Sequence, residues 1–186
     1  MDRNEQARVK TDAIQVARLS STRSYAVCCW LGFGAILLHN LEEAVAAPRW
    51  LASHGGELQR RFALEHIPAA DAQAFNASLA ALTLVCFLWI AVASRARARS
   101  FGVYSVAFLF SIFFCNALVP HLLGALLFKS YFPGVLTATG LVIPLTMWWS
   151  IRAHRDGWVD GPAFAVAVAS GIILYVPALR VLLGVW

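Results

Sequence analysis

The chain has 186 residues, 60% of them hydrophobic and 13% charged, with a formal net charge of +5 and a mean hydropathy of +0.66. This is too apolar for a soluble domain of such length and predicts a polytopic membrane protein. The basic residues are confined to a few connecting segments, so they are read as topology signals, and nucleic acid is excluded as a partner.

Residues 1–24 are polar and carry Arg3, Arg8, Lys10, Arg18 and Arg23, which predicts a basic cytoplasmic segment able to form a surface helix through Val9, Ile14, Val16 and Leu19. No small-residue cleavage site follows a short apolar core, so the segment is not read as a removable signal peptide. Five apolar runs follow, at 25–47, 72–94, 101–128, 132–151 and 162–183, each of about the 20 residues that cross a ~30 Å hydrocarbon core. Arg95-Ala96-Arg97-Ala98-Arg99 and Arg152-Ala153-His154-Arg155 mark cytoplasmic connections. The expected fold is therefore all-α: a single domain over 25–186 forming a bundle of five transmembrane helices, multi-pass in the cell (inner) membrane, with its N-terminus cytoplasmic. Segment 48–71 is expected to be the external loop. It begins where Pro48 stops the first helix, breaks at Gly55-Gly56 and then has helical character from Glu57 to His66.

The first span contains Ala35-Ile36-Leu37-Leu38-His39-Asn40-Leu41-Glu42-Glu43-Ala44, in which an imidazole and two carboxylates interrupt an apolar run. An ionisable group inside a membrane costs roughly 2.5 to 3.5 kcal/mol on insertion scales and turns toward protein or water. His39 lies i, i+3 from Glu42 and i, i+4 from Glu43, so on a helix both carboxylates flank the imidazole and can bind a metal or hold a proton with it. Counting ~1.5 Å of rise per residue, Asn116 and His121 on the third span fall in the same outer half of the membrane. Pro120 cannot donate to the carbonyl of Asn116, and a kink or π-bulge there would turn Asn116 and His121 toward one face. Arg180 on the fifth span falls at a similar depth and is the candidate counter-ion of Glu42 or Glu43. His54 and His66 can reach the site from the loop.

His39-Asn40-Leu41-Glu42-Glu43 resembles the signature of the HXXEE family of small prokaryotic integral membrane proteins. Pro48-Arg49-Trp50 is similar to its Pro-x-Trp, Asn116 and His121 resemble its later Asn and His, and Tyr131-Phe132-Pro133-Gly134 resembles its Tyr-x-Pro-Gly. The resemblance implies this architecture and these site residues and leaves the reaction open.

Four functions are weighed. The first is a metal-dependent membrane enzyme acting on a lipid or another hydrophobic small molecule near the outer leaflet. In it the candidate ligands of a divalent metal, zinc or iron, are His39, Glu42 or Glu43, and His121, the remaining carboxylate working as base or as a partner behind a ligand, with Glu42, Glu43 and Asn116 as catalytic candidates. The second is a metal-independent isomerase or cyclase in which Glu and His shuttle a proton and Trp30, Phe113 and Phe114 stabilise a cation. The third, a membrane protease with a paired Glu and His/Asn, fits poorly because it needs an Arg closer to the carboxylates than Arg49. The fourth is a non-enzymatic lipid-binding or assembly protein, in which membrane lipids are the partners.

Overall fold

The computed structural model describes the backbone of residues 3–62 and 72–183, and the side chains of Glu5, 22–61 and 72–177. Within these residues the chain forms five helices and no strand. They are α1 (Arg3–Phe62), α2 (Ala72–Ala93), α3 (Phe101–Phe128), α4 (135–155) and α5 (Gly161–Leu183). Helices are the open-ended solution for a chain this apolar, because each segment then satisfies its own backbone without water. Thr22–Arg61, α2 and α3 are long and apolar enough to cross a membrane, and Gly161–Pro177 is a shorter apolar helix. The protein is a helical membrane bundle.

One stripe organises the packing. On α1 the buried positions Tyr25, Cys28 and Cys29, then Gly32, Ala35 and Ile36, then His39, and later Ala47 and Trp50, fall on one helix face, spaced by about one turn or two. That face meets Val103, Val106 and Phe110 of α3 and Val142, Trp149 and Ala153 of α4 in a single core. Aromatic edges close the end opposite His39, where Tyr25 lies 5.2 Å from Trp158 and Phe110 lies 5.4 Å from Trp149. The Arg99 N–H reaches the Trp158 carbonyl at 2.7 Å and joins the two connections at that end. Along α3 and α5 the approach depends on a small residue: a Cβ at Gly171 would lie 2.8 Å from the Phe108 carbonyl oxygen and overlap the Ser111 hydroxyl.

The first helix departs from its expected end. Pro48 does not stop it, and Gly55-Gly56 does not break it; residues 48–62 are helical, so that part of the expected external loop is corrected. A proline inside a helix costs ~3 kcal/mol. Against that, Trp50 is buried between Phe128 and Phe132, at ring distances of 5.1 and 4.6 Å. Covering a Trp removes on the order of 150–250 Å² from water, about 4–6 kcal/mol at 25 cal/mol per Å², which offsets the proline even though the Trp50 Nε1–H is left without a partner. His54 stacks on Trp50 at 4.7 Å and is used there, away from the site. His66 and the rest of the loop to residue 71 lie outside the described residues, as does the apolar face drawn through Val9, Ile14, Val16 and Leu19. The fourth span also starts later than expected, since 132–134 form a turn and the helix begins at Val135.

Gly171→Ala is expected to lower stability in detergent by about 1–3 kcal/mol through overpacking. Gly161→Ala, whose Cβ would meet nothing within 4 Å, should stay within about 0.5 kcal/mol of wild type. Thermal melts of the two variants check this; equal melting points would show that α3 and α5 can separate freely.

Candidate metal centre

His39 and Glu43 are one turn apart on the buried stripe of α1, which carries both into the core, whereas Asn40 and Glu42 flank that stripe on opposite sides. Asn40 is used for packing: its Nδ2 donates to the Thr83 hydroxyl at 2.7 Å and joins α1 to α2. From α3 come Asn116 and His121. Residues Ala117–Leu122 form a π-turn around Pro120, and the wider turn brings this i, i+5 pair onto one face. An ideal α-helix would have separated them by ~140°.

The two imidazoles meet edge to face with ring centroids 4.5 Å apart, and their Nε2 atoms approach to 3.1 Å. Both rings are almost fully buried, at 1% and 2% exposure. Glu43 completes the group, with Oε1 3.5 Å from His121 Nε2 and Oε2 3.9 Å from His39 Nε2. One ligand atom from each of His39, Glu43 and His121 lies within 4.8 Å of the other two, an arrangement able to hold a metal ion. Asn116 stands beside them, its Nδ2 3.3 Å from His39 Nε2 and 3.0 Å from His121 Nε2, while its Oδ1 accepts from the Tyr175 hydroxyl at 3.3 Å.

Hydrogen bonding on the far side of each ring assigns the protons. The Pro133 carbonyl, 2.6 Å from His121 Nδ1, can only accept, so that nitrogen carries the hydrogen and Nε2 is left with a lone pair. For His39 the partner of Nδ1 is the Thr137 hydroxyl at 3.0 Å. Thr137 gives its own hydrogen to the Glu42 carboxylate at 2.5 Å, so it accepts from His39 Nδ1–H, and His39 Nε2 also presents a lone pair. Two lone pairs and a carboxylate therefore face one point. Among the described residues only the Asn116 amide donates there, and an acceptor set of two imidazoles and one carboxylate is able to hold a metal ion.

Glu42 and Glu43, equivalent as sequence, are separated by the structure. Glu42 accepts from Thr137 N at 2.8 Å, Leu136 N at 3.3 Å, the Thr137 hydroxyl and the Tyr131 hydroxyl at 2.8 Å. It caps the N-terminus of α4 from another helix, where backbone N–H groups and the helix dipole favour an anion. The convergent group contains Glu43, while Glu42 stands behind His39 through Thr137 and is not one of the three. Tyr131 lies beyond the end of α3, and burial, followed by its bond to the Glu42 carboxylate, pushes its phenol up to about 12, so it remains a donor at physiological pH.

Residues 131–134 roof the site. Gly134 sits at φ +83°, and a Cβ there would come within 2.7 Å of the His121 ring and 2.8 Å of the His39 ring. Thr137 and Tyr175 are neighbours of the site that sequence reasoning did not single out, and nothing distinguished them from packing residues. The roof was marked by the Tyr131-Phe132-Pro133-Gly134 motif, though not the part its Pro133 carbonyl plays toward His121. Trp30 packs on Phe33 and Phe87, at 5.8 and 5.6 Å, away from the imidazoles. Arg180 lies on α5 with its side chain outside the described residues, so its expected pairing falls outside them too.

The family model described as "Protein of unknown function with HXXEE motif" matches residues 30–149, which include every residue of the convergent group. No curated protein and no solved structure matches the chain.

Gly134→Ala and Gly157→Ala both force a side chain into the left-handed region, at φ +83° and +70°, but Gly157 has nothing within 4 Å of its Cβ position. Gly157→Ala is expected to cost about 1–2 kcal/mol, and Gly134→Ala about 2–5 kcal/mol because it also displaces both imidazoles. Denaturation of the two in parallel measures the difference, and equal losses would mean the rings are not held against the roof.

Proposed function

The chain belongs to the HXXEE family, and we propose that it is an integral membrane metalloenzyme acting on a lipid or another hydrophobic molecule that enters from the surrounding leaflet. One observation carries the reading: two buried imidazoles, each locked with its hydrogen on Nδ1, aim Nε2 lone pairs at each other across 3.1 Å beside a carboxylate. The Asn116 amide is the one donor facing this set, and a cation bound at the same point would relieve the repulsion that the carboxylate adds. In this reading His39, His121 and Glu43 hold zinc or iron, and a bound ion of this kind supplies Lewis acidity.

The remaining residues have distinct tasks. Glu42 and Thr137 fix the orientation and tautomer of His39, as carboxylates behind metal-ligating histidines do. The Asn116 amide is placed to donate to a substrate oxygen at the same point, and Tyr175 holds that amide in orientation. The hydrophobic class of the substrate is supported by the rim, because Leu38, Val45, Val119 and Leu123 are exposed around α1 and α3 and face lipid rather than water. The arginines at 95–99 and 152–155 support a cytoplasmic N-terminus in the inner membrane, with the site in the outer half.

A metal-independent isomerase or cyclase is the second reading. It draws on the Asn116 amide, whose two hydrogens can satisfy both Nε2 atoms without an ion.

Elemental analysis of protein purified in detergent separates the two. Wild type, reloaded without chelators, is expected to hold about one equivalent of zinc or iron per chain. His39→Ala, His121→Ala and Glu43→Ala should lose it, whereas Glu42→Gln should weaken binding by about 10–100-fold without removing a ligand. Metal-free wild type after reloading would leave the proton-transfer reading.

A further inference from the structure

At the end of the bundle opposite the His39 site, α1, the turn after α2 and α4 line an open cavity of about 1090 Å³. Its wall takes Arg23 and Ser24 from α1, Arg95 from the turn that follows α2, and Trp148 and Arg152 from α4. Ser24 and His39 are fifteen residues apart on one continuous helix, about 22 Å along its axis, so the cavity is separate from the metal centre.

The three arginines differ in how they are used. Arg152 is built in: its Nη2 donates to the Ser24 hydroxyl at 2.8 Å, its Nε to Asp156 at 2.9 Å, and its guanidinium lies 5.8 Å from the Trp148 ring. Arg95 donates to the Ala91 carbonyl in the last turn of α2, and neither Arg23 nor Arg95 has an acidic partner among the described residues. Setting the orientation of a membrane protein requires positive charge near the surface but does not require three guanidinium groups from three separate segments to line one cavity. The cavity is also amphipathic, with Val27 exposed on its wall beside Trp148.

We propose that this cavity binds the headgroup of an anionic phospholipid. The phosphate is taken by Arg23 and Arg95, whose guanidinium forks match its oxygens, with Arg152 held in place behind them. The first part of an acyl chain lies along Val27 and Trp148. Soluble phosphate lacks the apolar portion that this wall would cover, and the leaflet facing a positive-inside end is the one rich in anionic lipid.

Native mass spectrometry of the full chain in detergent tests the proposal, titrating phosphatidylglycerol and, separately, phosphatidylcholine. Wild type should retain phosphatidylglycerol at least tenfold more tightly. The double variant Arg23→Gln/Arg95→Gln should lose affinity for it by about 30-fold, the effect of two interfacial charges. Arg97→Gln/Arg155→Gln removes equal charge from the same end without touching the cavity wall and should change affinity less than threefold. Circular dichroism reports folding, and if the first double variant does not fold, Arg95→Gln against Arg97→Gln carries the comparison with about a fivefold loss. Equal losses in cavity and control variants, equal retention of both lipids, or displacement of the lipid by millimolar inorganic phosphate would each overturn the proposal.

Discussion

The carboxylate of Glu42 joins three parts of the molecule that are distant in sequence, and the geometry of the site depends on that junction. It receives the first free N–H groups of α4, the hydroxyl of Tyr131 from the roof, and the hydroxyl of Thr137. Through Thr137 it also decides which nitrogen of His39 carries the hydrogen. Four bonds to a charged acceptor, at about 1.5–3 kcal/mol each, exceed the roughly 2.5–3.5 kcal/mol charged for placing a carboxylate in a membrane span. The HxxEE spacing thus does two jobs with adjacent residues: one carboxylate builds the frame and the other faces the two imidazoles.

Around this frame the polar groups are few, and those next to the imidazoles have defined partners, whereas the buried indole N–H groups of Trp50 and Trp149 have none among the described residues. His121 is held by a roof carbonyl, Asn116 by Tyr175, and Asn40 by Thr83 on the outside of the stripe. In a bundle otherwise packed by Ile36, Val106, Phe110 and Trp149, such bonds set rotation and register more than they add stability. Burial of both imidazoles then means that their chemistry is governed by fixed neighbours rather than by water. That is the condition under which a small cluster can be reactive and still belong to a stable fold.

Much of this was legible in the sequence because membrane spans write their length and their exceptions plainly. The helical class followed from the apolar runs, and the pairing of His39 with His121 followed from depth counting. The π-turn was legible because Pro120 between Asn116 and His121 leaves few ways to share a face. What stayed hidden depended on contacts between segments. The fate of Pro48 was decided by Trp50 meeting Phe128 and Phe132, and no local rule reports such a meeting. The division of labour between Glu42 and Glu43 was decided by where α4 begins, and the part played by Thr137 by the same helix end.

The π-turn at Ala117–Leu122 also acts as a phase shift. One wide turn delays the rotation of everything after it by about 100° relative to an uninterrupted α-helix. Gly124, two residues beyond, is buried where a Cβ would strike the Phe132 ring at 2.7 Å, so this shifted face is the seat on which the roof rests. Phe132 immediately precedes the carbonyl that orients His121 and the glycine that clears both rings. A single irregularity in α3 therefore sets the angle of an imidazole and the bearing of the segment that holds it, so the two stay aligned because they are timed by the same turn.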